Sequence, residues 1–281
     1  MKFNVTLLKP DNYIHSLALL EAAEYVNIRI KQSGYESALT LNYIDPHNIN
    51  VIFCGHLMPE ELLKTNQKLI IFNTEQLCIE SVWTSANYKN LLASNYVWDY
   101  SPANLEKIQH SNTQLIDFYY CNQLSRLKIR KPAKYDLLFY GSINDRRKKI
   151  LDEITRRGLK LKVIFGMYGK ERDALLSESK AILNLHYYDS QIFQQIRAFY
   201  PLINQIPIIS ENYPIDSAPN IYSQVVFTNG HESIEDYVVK ILSSINFEAE
   251  AKIRLEKFKD TDIKNQFSAL IESSLEQINK G

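Results

Sequence analysis

The stretch AILNLHYYDSQIFQQIRAFYPLINQIPIISE, residues 181–211, decides the fold of this chain. It predicts a strand over Ala181–Leu185, a helix over Gln191–Asn204 and a second strand over Ile206–Ile209, because two short apolar runs flank apolar residues at helical spacing. The polar and aromatic letters HYYD follow the first strand directly. Ligands of an open parallel sheet bind beyond the carboxyl ends of its strands, where helix N-termini point. This loop is therefore the first candidate site, and the alternative is a loop that only caps a strand–helix unit.

The same alternation of strands and helices continues on both sides of that stretch. Apolar runs such as Lys2–Leu8 and Tyr135–Tyr140 predict strands, and the apolar stripe along Ile14–Lys31 predicts a helix that ends at Gly34. Strands that alternate with helices indicate right-handed βαβ units and mostly parallel sheets. We therefore expect an α/β fold.

A polar stretch divides the alternating pattern into two series. Residues 126–134 are basic and contain a proline, which predicts a linker. We expect one Rossmann-like domain over residues 1–125, a second over 135–246, and a cleft that the two domains face. The amphipathic tail, residues 247–281, carries apolar residues at three- and four-residue steps. We expect it to form helices, of which at least one packs back towards the first domain.

The charge balance argues against a general nucleic-acid binder, since 32 basic and 32 acidic residues leave a formal net charge of zero. No stretch approaches the ~20 apolar residues of a membrane span, and the apolar run at the N-terminus is too short for a signal peptide. The three cysteines, Cys54, Cys78 and Cys121, lack the spacing of a metal site. These features predict a cytoplasmic protein, with peripheral contact at the inner membrane face left open.

The segment FYGSINDRRKKIL, residues 139–151, predicts a phosphate-binding turn. A strand delivers Gly141 and Ser142 to the start of a helix whose first turns carry Arg146 and Arg147. Glycine lets backbone amides approach a phosphate, the helix dipole favours an anion, and arginine adds bidentate contacts. The equally common alternative is a tight turn followed by a solvated basic helix.

A second glycine loop follows the next predicted strand. The segment VIFGMYGKERD, residues 163–173, places Gly166 and Gly169 after that strand. Both glycine loops should reach the same sheet edge as His186, because the carboxyl ends of parallel strands share one edge. Three loops that converge on one edge support a ligand site better than any one of them alone.

Polar residues also follow strands in the first series. Glu75, within Asn73–Gln76, is a candidate general base, and Asp99 is a candidate second carboxylate. Gly55 and His56 follow another strand, where the histidine is a second candidate base or hydroxyl ligand and, more often, a structural residue. The alternative for the stretch after Asp99 is a helix start, with Ser101 as N-cap before Pro102.

These features together resemble the GT-B glycosyltransferases, and the resemblance covers nearly the whole chain. The nearest likeness is to bacterial and viral glycosyltransferase-like proteins with three motifs, N-x-E-Q, W-D-Y-S-x-x-N and H-Y-Y. In this sequence the motifs are Asn73–Gln76, Trp98–Ser101 with Asn104, and His186–Tyr188. One departure concerns the two glutamates, seven residues apart, of many retaining members. Their places hold Phe193 or Gln194 and Tyr200, so the donor ribose contact and the stereochemical class stay open.

The resemblance implies sugar transfer from a nucleotide sugar to a polysaccharide, lipopolysaccharide or other glycan acceptor, including a lipid-linked one, with no bound metal or cofactor. It assigns the acceptor to the first domain and the donor to the second. The residues implied at the donor are Gly141, Ser142, Arg146, Arg147, Gly166, Tyr187, Tyr188, Gln191, Arg197 and Glu211. Those implied at the acceptor are Gly55, His56, Gln76 and Tyr100. The catalytic candidates are Glu75, Asp99 and His186.

Two other functions stay open at this point. The missing pair of carboxylates is compatible with a non-catalytic binding or scaffold protein that keeps the fold. A sugar-nucleotide epimerase on the same fold is the weaker alternative. Neither the sugar, the nucleotide nor the anomeric outcome follows from the sequence.

Overall fold

The computed structural model describes residues 2–59, 69–77, 84–108, 112–188, 192–214, 217–261 and 264–280. The chain divides into two compact units. The first unit combines residues 1–117 with 262–281, and the second unit spans 118–261. Each contains one sheet whose described strands all run parallel, which confirms the predicted α/β fold.

The first unit is built on a six-stranded sheet in the order β2-β1-β3-β4-β5-β6. Its strands are β1 (Lys2–Leu7), β2 (Glu36–Leu41), β3 (Ile49–Phe53), β4 (Leu69–Asn73), β5 (Tyr96–Asp99) and β6 (Thr113–Leu115). Its helices are α1 (Leu20–Gln32), α2 (Ala86–Ser94), α3 (Pro102–Ile108) and α10 (Lys264–Lys280). Every residue of β3, β4 and β5 is buried, as near-continuous apolar runs require in a parallel sheet covered on both faces.

The C-terminal helix α10 completes the core of the first unit. The indole Nε1 of Trp98 donates a hydrogen bond of 3.1 Å to Oγ of Ser274. The ring of Phe267 packs edge-on against Trp98 and Tyr25, at centroid distances of 6.2 and 6.4 Å. The tail therefore supplies aromatic and polar contacts to a unit that begins some 260 residues earlier in the sequence.

The second unit is built on a five-stranded sheet in the order β11-β10-β9-β7-β8. Its strands are β7 (Tyr135–Tyr140), β8 (Leu161–Ile164), β9 (Ser179–Asn184), β10 (Ile208–Ser210) and β11 (Phe227–Thr228). Its helices are α4 (Asp145–Arg156), α5 (Lys170–Ser177), α6 (Gln195–Ile203), α7 (Asn220–Val225), α8 (Ile234–Leu242) and α9 (Phe247–Lys259). Side chains such as Phe139, Ile154, Leu183 and Val238 form the core on one face of this sheet.

The unit boundaries differ from those expected from the sequence. The second unit begins at Phe118, and the stretch 126–134 belongs to it rather than linking two domains. Two backbone amides at the start of this stretch are hydrogen-bonded within the second unit: Oδ1 of Asn204 accepts from the amides of Arg126 and Leu127, both at 2.8 Å. The tail also divides, because α9 lies in the second unit and α10 in the first.

Candidate functional site

The second sheet has a topological switch point between β7 and β9. The chain leaves β7 towards β8 on one side and returns to β9 on the other, so the loops after β7 and β9 diverge. Open α/β sheets bind ligands in the crevice that such divergence leaves. Gly141 follows β7, and His186 follows β9 after one residue. Gly141, a predicted donor residue, and His186, a predicted catalytic residue, thus lie where this topology favours a ligand.

Gly141 and Arg197 come into close contact at this switch point. Gly141 has a φ of +139°, and a Cβ atom there would lie 3.0 Å from Nη2 of Arg197 and 3.6 Å from Nη1 of Arg147. The hydroxyl of Tyr140 donates to the carbonyl oxygen of Arg197 at 2.8 Å, which fixes the first turn of α6 against the end of β7. Any other residue at position 141 would therefore displace the guanidinium of Arg197 and would strain the backbone.

Arg147 is enclosed, which corrects the expectation that it faces a donor. Its Nε donates to the carbonyl of His186 at 3.2 Å, its Nη1 to that of Ser142 at 2.7 Å, and its Nη2 to that of Leu185. The guanidinium also lies 5.0 Å from the ring centroid of Tyr187. Burial, and then the nearby charge of Arg197, lower the pKa of Arg147 to about 9. Arg147 joins the two loops of the switch point to each other.

Arg146, next to it in the sequence, points to a different environment. Its Nη1 lies 3.1 Å from Oε2 of Glu211 and 3.1 Å from the carbonyl oxygen of His186, and its Nη2 is ion-paired with Oε1 of Glu211. The side chain of Arg146 is 47% exposed and that of Glu211 is 10% exposed. Arg146 is thus an accessible cation held at the loop by a nearly buried carboxylate.

His186 is held by its backbone and by its ring. Its amide donates to Oε2 of Glu211 at 2.7 Å, and its Nε2 lies 2.8 Å from the carbonyl oxygen of Asn212. Because a carbonyl only accepts, Nε2 carries the proton in this contact. Burial lowers the pKa of His186. The neutral ring therefore keeps Nδ1 as its acceptor.

Tyr187 and Tyr188, two further predicted donor residues, follow His186 in the loop after β9. Tyr187 and Tyr188 pack edge to face at 4.7 Å, and Nδ2 of Asn144 donates to the carbonyl of Tyr187 at 3.0 Å. Asn144 also caps α4, because its Oδ1 accepts from the amide of Arg147 at 2.9 Å. Asn144 was not among the residues predicted from the sequence, although an asparagine directly before a charged helical run is a standard cap signal. The carbonyl of Ser142 accepts a hydrogen bond from Arg147, and Gly166, after β8, has a left-handed backbone conformation. Gln191 lies outside the described residues.

The first sheet has the same kind of switch point, between β1 and β3. His56 follows β3 and Glu75 follows β4, and Nδ1 of His56 lies 3.4 Å from Oε1 of Glu75. Burial raises the pKa of Glu75 to about 7 and lowers that of His56 to about 4. At neutral pH the histidine is therefore neutral, and Glu75 is poised between its two protonation states.

Asn73 fixes the backbone of Glu75. Its Nδ2 donates to the carbonyl of Glu75 at 3.0 Å, and its Oδ1 accepts from the amide of the same residue at 3.1 Å. The hydroxyl of Tyr88 donates to Oδ1 as well, at 2.7 Å. Nδ2 of Asn104 adds a bond of 2.9 Å to the carbonyl of Glu75. The asparagines of the N-x-E-Q and W-D-Y-S-x-x-N motifs thus hold one and the same carboxylate-bearing loop.

Asp99 is wholly buried beneath this loop, at 0% exposure, so in this structure its carboxylate meets protein groups and not solvent, unlike the catalytic carboxylate expected from the sequence. It accepts from Nδ2 of Asn73 at 2.5 Å, from Nδ2 of Asn104 at 3.2 Å and from the amide of Ser101 at 2.8 Å. Burial raises its pKa to about 7, although these donated bonds favour the ionised form. Asp99 is therefore a positioning residue for the asparagines that hold Glu75.

Three of the four predicted acceptor residues are enclosed in the first unit. A Cβ on Gly55 would lie 3.0 Å from Cγ2 of Ile71, so this glycine serves close packing. Gln76 and Tyr100 are buried, and Nδ1 of His56 lies 3.4 Å from Oε1 of Glu75. Tyr13, which was not predicted as a site residue, is partly buried. Burial, and then the charges of Cys54 and Glu75, raise the pKa of Tyr13.

Two further features concern the described residues only. They contain no group of three or more His, Cys, Asp or Glu side chains arranged to hold a metal ion. None of their helices is both long and apolar enough to cross a membrane.

No protein-family model matches the chain. Similar sequences include uncharacterized proteins of Acanthamoeba polyphaga mimivirus. One is 30% identical over 206 residues, which make up 71% of this chain and 27% of that protein. A second is 28% identical over 216 residues, which make up 74% of this chain and 70% of that protein. This chain therefore spans about a quarter of the length of the first relative.

Similar solved structures are glycosyltransferases with the GT-B fold. AviGT4, a glycosyltransferase involved in avilamycin A biosynthesis, has a TM-score of 0.58 at 12% identity, over 100% of this chain and 97% of its own. The BGT of T4 phage, solved with UDP and Mn²⁺, has a TM-score of 0.59 at 11% identity, over 98% and 99%. WaaG, involved in lipopolysaccharide biosynthesis, has a TM-score of 0.57 at 10% identity, over 100% of both chains. The chain therefore has the fold of the GT-B glycosyltransferases.

Proposed function

We propose that this protein is a glycosyltransferase that moves a sugar from a nucleotide-sugar donor to a glycan acceptor. The observation that carries the proposal is the contact of Arg197 with Gly141 after β7, together with Arg146, which binds the carbonyl of His186 after β9, on the other side of the switch point. A glycine loop, the first turn of a helix and two guanidinium groups are what a diphosphate requires. The fold shared with known glycosyltransferases supports the same function.

The donor diphosphate would bind in the second unit. The guanidinium of Arg146 is 47% exposed and that of Arg197 lies at the backbone of Gly141, so both lie where a diphosphate would bind, whereas Arg147 is enclosed and bound to carbonyls. As the sugar leaves, negative charge grows on the diphosphate, and preorganised cations stabilise that charge. We therefore propose that transfer requires no bound metal, because the arginines and the helix dipole supply the positive charge.

Glu75 would act as the general base in the first unit. Its carboxylate accepts the proton of an acceptor hydroxyl, the hydroxyl oxygen bonds to the anomeric carbon, and the bond from that carbon to the diphosphate breaks. The nucleoside diphosphate then carries the bonding electrons away. A base is most effective when its pKa lies near the working pH, and burial gives Glu75 a pKa of about 7. His56, neutral and 3.4 Å away, is available to orient the same hydroxyl.

The acceptor is proposed as a polysaccharide, a lipopolysaccharide or another glycan, lipid-linked or not. The likeness to WaaG, involved in lipopolysaccharide biosynthesis, supports this class. The similar BGT is described as a DNA-modifying enzyme, but a formal net charge of zero does not favour DNA as the acceptor here. A cytoplasmic location, with peripheral contact to the inner membrane face, belongs to the same proposal.

A donor panel tests the function directly. The chain is incubated with UDP-glucose, UDP-galactose, UDP-N-acetylglucosamine and GDP-mannose, and both the melting temperature and the release of nucleoside diphosphate are measured. We expect at least one donor to raise the melting temperature, since a ligand of the folded state stabilises it by RT ln(1 + [L]/Kd), and to be hydrolysed slowly with water as acceptor. EDTA should leave both readouts unchanged. Donor binding without any release would favour the scaffold alternative, and a change of the sugar without release would favour the epimerase.

A further inference from the structure

The formal net charge of zero conceals a difference between the two units. The second unit contains 22 basic and 17 acidic residues, a net charge of +5, and the first unit contains 10 and 15, a net charge of −5. The excess lies at the start of the second unit, because residues 118–162 contain 13 basic and only 4 acidic residues. Arg146 and Arg147 are two of these cations and belong to the donor loops. Five others lie in the stretch RLKIRKPAK, residues 126–134.

Backbone hydrogen bonds hold this stretch at one edge of the second sheet, where its strands begin. The amide of Arg130 donates to the carbonyl of Ser177 at 2.8 Å. The amide of Lys134 donates to the carbonyl of Glu178, directly before β9, also at 2.8 Å. Lys134 is itself the residue before β7, the neighbour of β9. The basic stretch therefore crosses the amino ends of two adjacent strands.

Two further lysines reach the same edge through Asp136. Its Oδ1 lies 2.7 Å from Nζ of Lys180, the second residue of β9. Its Oδ2 accepts from the amide of Lys160, the residue before β8, at 2.8 Å. Because β8, β7 and β9 are neighbours in this order, the backbones of these two lysines lie about two strand spacings apart, about 10 Å. We call this surface the basic edge and define it by Lys128, Arg130, Lys131, Lys134, Lys160 and Lys180.

The cations of the basic edge are more exposed than most of the acids that contact them. Arg130 and Lys131 are 64% and 76% exposed. Glu178, which is ion-paired with Arg130, is 19% exposed, and Asp136 is 17% exposed. Glu248, 3.4 Å from Lys131, is an exposed acid on the same side. Six cations around three acids leave a surface of positive charge.

An apolar side chain lies in the middle of the basic stretch. Ile129, between Lys128 and Arg130, is 38% exposed. Exposed cations that surround an apolar side chain match an anionic bilayer, because the cations meet its headgroups while the apolar group enters the layer beneath them. A nucleic-acid backbone carries the same negative charge, but its phosphates offer no partner to isoleucine. The chemistry of the edge therefore favours a lipid surface.

We propose that the basic edge docks this protein on an anionic lipid surface. The inference rests on the proposed function only for its purpose, which is to bring the chain to a lipid-linked acceptor. Gly141 and His186 lie at the opposite ends of the strands, about 20 Å away along the six residues of β7. Docking at the basic edge therefore does not compete with a donor at these loops.

The test is flotation with vesicles of phosphatidylcholine and phosphatidylglycerol, and with vesicles of phosphatidylcholine alone. We expect the chain to bind only the anionic vesicles, and to be released at about 1 M NaCl, where the screening length falls to about 3 Å. A triple variant, Lys128→Gln with Lys131→Gln and Lys134→Gln, should bind about a hundredfold more weakly. Ile129→Ser should give a smaller loss at unchanged charge.

The matched control makes the same charge change at the other end of the strands. Lys148→Gln, Lys149→Gln and Lys170→Gln, at exposed lysines in the first turns of α4 and α5, should together leave vesicle binding in place. Equal losses in the two triple variants would overturn the proposal, because they mark an effect of net charge alone. Melting temperatures measured alongside show that each variant is folded.

The remaining outcomes distinguish this inference from the proposed function. An unaltered chain that does not bind anionic vesicles would refute the docking surface, whatever the donor panel shows. Tighter binding to a DNA duplex than to these vesicles would assign the basic edge to nucleic acid instead. Release of nucleoside diphosphate from a donor in solution, without vesicles, should be the same for the unaltered chain and for the basic-edge variant. Failure of that release in both would refute the transferase and leave vesicle binding to decide the docking surface.

Discussion

Asn73 donates a hydrogen bond of 2.5 Å to Asp99, and both side chains are wholly buried. The same asparagine binds the amide and the carbonyl of Glu75, so Asp99 reaches the proposed base through one intermediate residue. Because Asp99 is enclosed, its contribution to catalysis should be one of position. This relationship gives the first prediction.

Asp99→Asn should impair both stability and turnover. The new amide can accept from the Ser101 amide, but its NH₂ group would face the NH₂ group of Asn73, which leaves buried donors unsatisfied. We expect unfolding free energy to fall by about 1–3 kcal/mol in urea titration. We also expect a lower kcat with unchanged donor affinity, because Glu75 loses its orientation while the second unit is untouched. Asp152→Asn, in an exposed pair with Lys148, is the matched control and should change stability by no more than about 0.5 kcal/mol.

The rate of transfer should rise with pH through about 7, because Glu75 accepts a proton only when ionised and burial raises its pKa to that value. A pH–rate profile measured between pH 5 and 9 checks this. Glu75→Gln should abolish the rise together with most of the activity, and His56→Gln should leave the rise in place, since the pKa of His56 is lowered to about 4. A profile that is flat across pH 7 would remove Glu75 from the role of base.

The same pKa predicts how stability depends on pH. Glu75 is protonated more readily in the folded state, so between about pH 4.5 and 7 the folded state binds more protons and stability decreases as pH rises. His56 acts in the opposite sense, because its pKa is lowered on folding. The comparison that isolates Glu75 is the unfolding free energy of Glu75→Gln minus that of the unaltered chain. This difference should grow by about 3 kcal/mol from pH 4.5 to above pH 7.

The sequence predicts the fold class and the strand ends that carry the site, because apolar periodicity and the polar residues after each strand are local signals. The prediction from the sequence gives Arg146 and Arg147 the same role at the donor, although the first is exposed and the second is enclosed. Helical periodicity does distinguish the two: Arg147, Leu151 and Ile154 share one helical face, and all three are buried. Arg146 is turned about 100° from that face, which is why neighbouring identical side chains have different surroundings.

Local apolar periodicity does not predict where the second unit begins. It also does not predict that Asp99 is buried. The basic composition of residues 126–134 indicates a solvated linker, yet the stretch is held by Asn204, a residue distant in sequence. Asp99 ends the strand YVWD, in which every residue is buried, and a polar residue at a strand end is equally compatible with a site or with a support. Both outcomes depend on long-range partners that local patterns do not encode.

Arg146, Arg147 and Arg197, the three arginines at the switch point of the second sheet, should respond differently to alanine. Arg146→Ala and Arg197→Ala should each weaken binding of the donor identified in the panel by about tenfold to a hundredfold, equivalent to about 1.5–3 kcal/mol, and leave the chain folded. Arg147→Ala should lower the free energy of unfolding by about 3 kcal/mol, because the carbonyls of Leu185 and His186, both buried, and the partly buried carbonyl of Ser142 lose their donor. Arg156→Ala, at an exposed arginine near the end of α4, is the control for helix content and net charge.

Melting temperature and donor affinity are measured together for these four variants. A stable Arg147→Ala protein with weakened donor binding would return Arg147 to the donor site. Unchanged affinity in both Arg146→Ala and Arg197→Ala would place the diphosphate elsewhere. A lower melting temperature with unchanged affinity in Arg197→Ala would assign that residue to the structure of the second unit.

Glu211→Gln should strengthen the binding of a simple anion. Glu211 holds Arg146 through two contacts and brings a negative charge to the place proposed for the diphosphate. Glutamine carries no charge, so it neither pairs ionically with Arg146 nor repels a bound diphosphate. The affinity for pyrophosphate should therefore rise about fivefold, equivalent to about 1 kcal/mol. The melting temperature should fall slightly, because the amide of His186 loses a charged acceptor. Weaker binding of a nucleotide sugar with unchanged pyrophosphate affinity would instead show that the carboxylate receives a hydroxyl of the donor, and Glu211→Asp would then be expected to keep part of that contact.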